Sequence, residues 1–81
     1  MKVNEFLDAI CRALSREPGT LTLDDTNETV EEWDSLGHLA IISIVDSEFG
    51  VPPETEDLQT FTSLRELADV LVASGALEED L

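Results

Sequence analysis

The sequence predicts an all-α protein: a small four-helix bundle of three longer helices and one short helix, with a long loop between helices one and two. Three observations carry that prediction. Apolar residues recur every three or four positions in three separate segments. Pro18-Gly19, Gly50 with Pro52-Pro53, and Gly75 punctuate the gaps. The one strand-like stretch, "TLTLDD" at 20–25, finds no second strand to pair with, and a lone strand makes no sheet. At 81 residues the chain is expected to be one domain, 1–81, with a modest core.

Helix one is expected over 3–16, because Val3, Phe6, Leu7, Ile10 and Leu14 share a face while Glu5, Asp8 and Arg12 fall between them. Pro18-Gly19 ends it. Residues 17–34 form the long connection, with Leu21, Leu23 and Val30 tacking it onto the helices. A loop of this length in a small domain points to function. Helix two is expected from Ser35 to Glu48, capped by Asp34 and stopped by Gly50. "PETEDLQ" at 53–59 supplies the short helix, with a proline near its start and acids in its first turn. The last helix starts at Thr62 or Ser63, where Ser63-Leu64-Arg65-Glu66 fits a capping box, and its stripe is Leu64, Leu67, Ala68 and Leu71. Ser74-Gly75 stops it, and 77–81 is expected to be a frayed acidic tail.

Composition narrows the function. Nineteen acidic residues face four Lys plus Arg, a formal charge of −15. Nucleic acid and anionic membranes, which need cationic contacts, are excluded as expected partners. A partner with a basic patch fits instead, since opposite potentials speed encounter. The apolar fraction of 42% is enough for a folded chain. Cys11 is the single cysteine, so no internal disulfide forms, and its place in a helical pattern makes it a buried structural thiol. Residues 1–15 mix charged side chains into the apolar pattern, unlike a secretory leader, and no apolar run is long enough to cross a membrane. A soluble, cytoplasmic monomer is expected.

Helix two has two apolar faces. At about 100° per residue, Ile41, Ile42, Val45 and Phe49 gather on one side as the core face. Leu36, Leu39, Ala40 and Ser43 fall opposite, with Asp46 and Ser47 at the far end. Either the 17–34 loop covers Leu36 and Leu39, or they form a docking surface with an apolar centre and an acidic rim. Ser35 stands at the head of the helix beside Asp34. It is either a second capping residue or an exposed hydroxyl at a helix N-terminus, where free N–H groups and the positive end of the helix dipole favour a phosphate ester.

At this point the chain resembles the acyl carrier proteins of the phosphopantetheine-binding family. The matching pieces are "WDSL" at 33–36, "EFGV" at 48–51, the proline-acid segment 52–57 and "FTSLRELADVL" at 61–71. The likeness covers nearly the whole chain, with Asp34-Ser35-Leu36 as its most specific motif. It implies that Ser35 receives 4'-phosphopantetheine from a phosphopantetheinyl transferase using coenzyme A. The protein itself would be no enzyme; it would carry acyl groups as thioesters and present them to acyl-activating or acyl-transferring biosynthetic enzymes through basic docking patches. Asp34, Leu36, Leu39, Ser43 and Asp46 would be the residues those partners read. The carried chain would either fold back between the helices or swing out into a partner. Gly37 and Ala40 stand where fatty-acid carriers often have acids, which favours a specialised fatty-acid, polyketide or lipid pathway. A peptidyl or D-alanyl carrier stays open, as does an acidic interaction domain that bears no prosthetic group.

Other constellations carry less. Asp34, Ser35 and His38 lack the Gly-x-Ser-x-Gly elbow of a hydrolase, since Trp33 holds the first glycine's place. His38 is expected to pack or hydrogen bond inside. The acid-dense run 25–36 has Val30 where a calcium loop needs glycine and Leu36 where it needs glutamate, so no metal site is expected. Trp33 is expected to anchor the loop, and Phe6, Phe49 and Phe61 to be core.

Overall fold

A computed structural model describes residues 2–77. It holds α1 (Val3–Ala13), α2 (Ser35–Phe49), a 3-10 turn (Glu56–Gln59) and α3 (Leu64–Ala73). The all-α expectation stands, with three α-helices among the described residues, and the short helical element expected within 53–59 is a 3-10 turn between α2 and α3. The segment is too short for more. Leu58 alone anchors it to the core, and Gln59 folds its side-chain amide back to donate to the Pro53 carbonyl at 2.8 Å.

Helix α1 buries Phe6, Ala9, Ile10 and Cys11, and the Glu5 carboxylate accepts the Lys2 backbone N–H at 3.2 Å. It ends at Ala13, before the expected residue 16. Ser15 takes a left-handed conformation (φ 58°), and the Arg16 N–H closes back on the Cys11 carbonyl at 2.8 Å. A helix running on to Pro18 would have set the proline ring against a carbonyl of the previous turn. Helix α2 runs one residue past the expected end and stops at Gly50, whose φ of 71° suits a residue without a Cβ. Ile41, Ile42 and Val45 are buried as expected. Phe49 is only half-buried, although its ring meets Phe6 edge-on at a centroid distance of 5.9 Å.

The long loop is fastened at several points. Leu21, Val30 and Trp33 are buried, and Leu23 packs partly against them. Asp25 organises the middle, accepting from the Thr22 N–H at 2.8 Å and the Thr29 hydroxyl at 3.0 Å. The strand-like 20–25 stretch forms no strand, although backbone bonds tie it and Thr26 to the start of α3. Thr26 and Ser63 form an isolated antiparallel bridge, with the Asn27 N–H donating to the Thr62 carbonyl at 3.0 Å. The Leu64 and Arg65 N–H groups donate to the Asp25 and Leu23 carbonyls at 3.0 and 3.1 Å. These are two of the amides that a helix start leaves without an internal partner. Ser63 Oγ takes a third, from Glu66, at 3.1 Å. The loop therefore completes the cap of α3.

At the other end of α3, Gly75 (φ 78°) turns the chain, and the Ala76 and Leu77 N–H groups both return to the Leu71 carbonyl, at 2.9 and 3.2 Å. Leu77 is buried, so it belongs to the core and not to the expected tail. Residues 78–81 of that tail lie outside the described residues.

Each arginine is paired: Arg12 with Glu48 at 2.9 Å through both guanidinium nitrogens, Arg16 with Glu32 at 2.7 Å, and Arg65 with Asp24 at 2.8 Å. Such exposed pairs add little stability. They do consume most of the chain's positive charge and leave the acidic surface unopposed. No buried side-chain nitrogen or oxygen among the described residues lacks a partner.

Two expectations follow. Phe6 has no exposure, so Phe6→Ala should cost about 3–5 kcal/mol in urea unfolding, while half-buried Phe49→Ala costs clearly less. A larger loss for Phe49 would reverse the assignment of the α1–α2 core. Glu66 accepts from the Thr62 hydroxyl and N–H and from Ser63, which holds its carboxyl below the ordinary value of 4.5. A depressed folded value means stability that is present above about pH 4.5 and lost as pH falls through the folded value. Thermal melts of Glu66→Gln should therefore trail wild type near neutrality and converge with it in acid. A gap that does not change with pH would contradict this.

Candidate functional site

The site is built on the first turn of α2. Asp34 precedes it with extended backbone, and its Oδ1 accepts the Gly37 N–H at 2.9 Å, while its carbonyl accepts the His38 N–H at 2.8 Å. Of the two capping candidates, Asp34 is the cap. Ser35 is thereby released: it is the first helical residue, it is exposed, and its hydroxyl makes no hydrogen bond. The Ser35 and Leu36 N–H groups likewise have no backbone acceptor, as the first positions of a helix dictate.

Below the serine, the loop presses on the helix. Gly37 is buried; a Cβ there would collide with the Glu32 carbonyl oxygen and crowd the Leu14 side chain at 3.2 Å. Any side chain at position 37 would have to push the Glu32 segment of the loop aside, so the glycine there has a local packing cause. Glu32 itself is held below its ordinary value of 4.5, first by its own backbone N–H and then by Arg16.

Three rings form the wall beside Ser35. The Trp33 indole N–H donates to His38 Nδ1 at 3.1 Å, and His38 Nε2 lies 3.2 Å from the Leu58 carbonyl. Two partners of these kinds require the neutral tautomer with its hydrogen on Nε2. His38 stacks on Phe61 at 4.6 Å and 26°, and Trp33 lies 5.5 Å from Phe61. Trp33 anchors the loop as expected. His38 is a structural bridge with both nitrogens committed, so it is no base for Ser35. An open recess of about 300 Å³ adjoins the serine, lined by Asn27, Trp33, Asp34, Ser35 and His38.

The outer face of α2 is uncovered. Leu36 is 77% and Leu39 61% exposed, the two large exposed apolar side chains among the described residues. The reading in which the loop hides them is overturned, because the loop spends its apolar residues on the core and its carbonyls on α3. Ser43, Asp46 and Ser47 are exposed along the same side, and Ala40 is half-buried. The remaining candidates stay structural. Cys11 is buried, its Sγ 4.0 Å from Thr20 Oγ1. No cluster of His, Cys, Asp or Glu with metal-ligating geometry occurs among the described residues. None of their helices is long and apolar enough to cross a membrane.

Sequence reasoning missed Asn27 as a lining residue, the Gly37–Glu32 contact and the joining of Trp33, His38 and Phe61. The five-residue spacing of Trp33 and His38 was the one available signal, and it says nothing of Phe61. The Gly37 contact gives a test. In a helix, Ala normally stabilises relative to Gly by about 0.5–1 kcal/mol. Gly37→Ala should instead destabilise by about 1–3 kcal/mol through overpacking, read by chemical denaturation. A stabilised variant would show that the loop gives way freely.

With this geometry in place, comparison with known proteins is informative. A model of the phosphopantetheine attachment site family matches residues 4–71, which spans α1, the loop, α2, the 3-10 turn and most of α3. No curated protein and no solved structure matches the chain. The chain belongs to the phosphopantetheine attachment site family, the phosphopantetheine-binding carrier proteins that include the acyl carrier proteins.

Proposed function

We propose that Ser35 is the attachment point and that the chain is an acyl carrier protein of a specialised fatty-acid, polyketide or lipid pathway. The observation that carries the attachment is the exposed, uncommitted Ser35 hydroxyl at the head of α2, inside the matched region. The residues present fit a phosphate ester there. Two N–H groups of the helix start have no acceptor, and the helix dipole favours an anion at that end. Asp34, already bound to the Gly37 N–H, is turned into the helix cap.

When bound, 4'-phosphopantetheine supplies a flexible arm whose terminal thiol holds a cargo as a thioester. This chain's residues provide everything else. Ser35 Oγ would bond to the phosphorus that bears the pantetheine arm, the pyrophosphate bond from that phosphorus would break with 3',5'-ADP as leaving group, and the serine proton would pass to the transferase. Leu36 and Leu39 offer an apolar contact within an acidic surface, with Ser43 and Asp46 further along the same face. That arrangement suits the transferase and later partner enzymes with basic patches around an apolar socket. His38 and Trp33 fix the loop so that Ser35 is presented in one place. The chain performs no chemistry on the cargo in this reading, and a cytoplasmic location fits a coenzyme A-dependent modification.

The test is intact mass. Wild-type protein incubated with coenzyme A and a broad-specificity phosphopantetheinyl transferase should gain one arm, and Ser35→Ala should gain none. Leu39→Glu should fold normally and load more slowly. A wild type that stays unmodified would overturn the assignment and favour the interaction domain without a prosthetic group, whereas a Ser35→Ala that still loads would move the attachment to another residue.

A further inference from the structure

An apolar chain tethered at Ser35 would gain free energy by leaving water for the core, since each buried methylene is favourable. The structure sets an obstacle in the direct path. The recess beside Ser35 ends at Trp33 and His38, which are tied to one another and backed by Phe61. Phe61 packs behind these two rings, and His38 is bonded to the carbonyl of fully buried Leu58, so the three rings stand as a partition between the recess and the core. Trp33 is 6% and Phe61 4% exposed, and Leu58, whose carbonyl binds His38, has no exposure at all. Moving His38 aside would strip the Trp33 N–H and the Leu58 carbonyl of their partners in apolar surroundings, a cost charged before any methylene is buried. The recess on the Ser35 side is rimmed by Asn27, Asp34, Ser35 and His38, which suit polar groups rather than a long alkyl chain.

We propose that the Trp33–His38–Phe61 partition keeps cargo carried on Ser35 out of the helical core, so that this carrier serves short or polar acyl groups held on its outside. The inference rests on the attachment reading above and deepens it by naming the cargo class.

The experiment loads wild type with butyryl, octanoyl and dodecanoyl coenzyme A through a broad-specificity transferase and confirms each product by mass. Thermal melts and the emission of Trp33, the chain's single tryptophan, are then compared. Melting temperatures should agree to within about 1 °C across the series, because no methylene is buried, and the emission maximum should not move with chain length. Phe61→Ala and the milder Phe61→Leu thin the partition and should make the melting temperature climb with chain length. A wild-type melting temperature that climbs from butyryl to dodecanoyl, with Trp33 emission shifting in step, would overturn the proposal. So would folded Phe61 variants whose melting temperature stays blind to chain length, because removing the ring would then have opened nothing. Failure to load any thioester shows in the mass alone and strikes the Ser35 assignment, whereas loading with chain-length-dependent melting strikes the partition only.

Discussion

The Ser35 end of the molecule depends on where one carboxylate goes. Asp34 spends its side chain on the Gly37 N–H, 2.9 Å away, and its carbonyl on His38. That bond starts α2 at a fixed residue, and it frees the next hydroxyl from capping duty. It also fixes the angle at which the loop meets the helix, and the Glu32 carbonyl can then lie against Gly37. With the loop held there, Trp33 reaches His38, and His38 reaches Leu58. Presentation of the serine, closure of the ring wall and exposure of Leu36 and Leu39 are thus successive results of a single capping choice.

The charge distribution complements this. The described arginines all face acidic partners, so no basic patch from them competes with a partner's cations. Glu66 and Glu32 are held deprotonated by local donors rather than by a general positive field. Exposed Asp34 precedes the two uncovered leucines and exposed Asp46 follows them along α2, so attraction and adhesion act on the same helix.

Much of this was legible in the sequence, and the parts that were not have physical reasons. The periodicity of Phe6, Ile10, Ile41, Val45, Leu67 and Leu71 fixed three helices, because burial of one stripe is what makes a short helix stable. The Ser63-x-x-Glu66 pattern located the start of α3, since its chemistry is local. Ends were harder. Helix α1 stops at Ala13 through a left-handed serine, a residue that gives no warning in a pattern of hydrophobicity. Phe49 sat at the right angle for the core but at the last turn of α2, where neighbours cover only one side of it. The Asp25–Leu64 and Thr26–Ser63 pairings could not be read at all, because backbone groups carry no sequence signature. Ser35 was visible as a motif. Its freedom was not, since two adjacent residues compete for the cap and only geometry decides between them.

The backbone link between residues 23–27 and the start of α3 has a further consequence for how the chain assembles. Two of the amides that begin α3 are met by carbonyls from the first third of the sequence, and only the third is capped locally, by Ser63. Isolated fragments of either half would leave those two groups to water, and completion of the α3 cap must wait for a distant loop closure. A helical protein of this size would ordinarily fold quickly on local contacts. Here the slow step is expected to be the docking of that loop, which ties completion of the fold to the same segment that presents the serine.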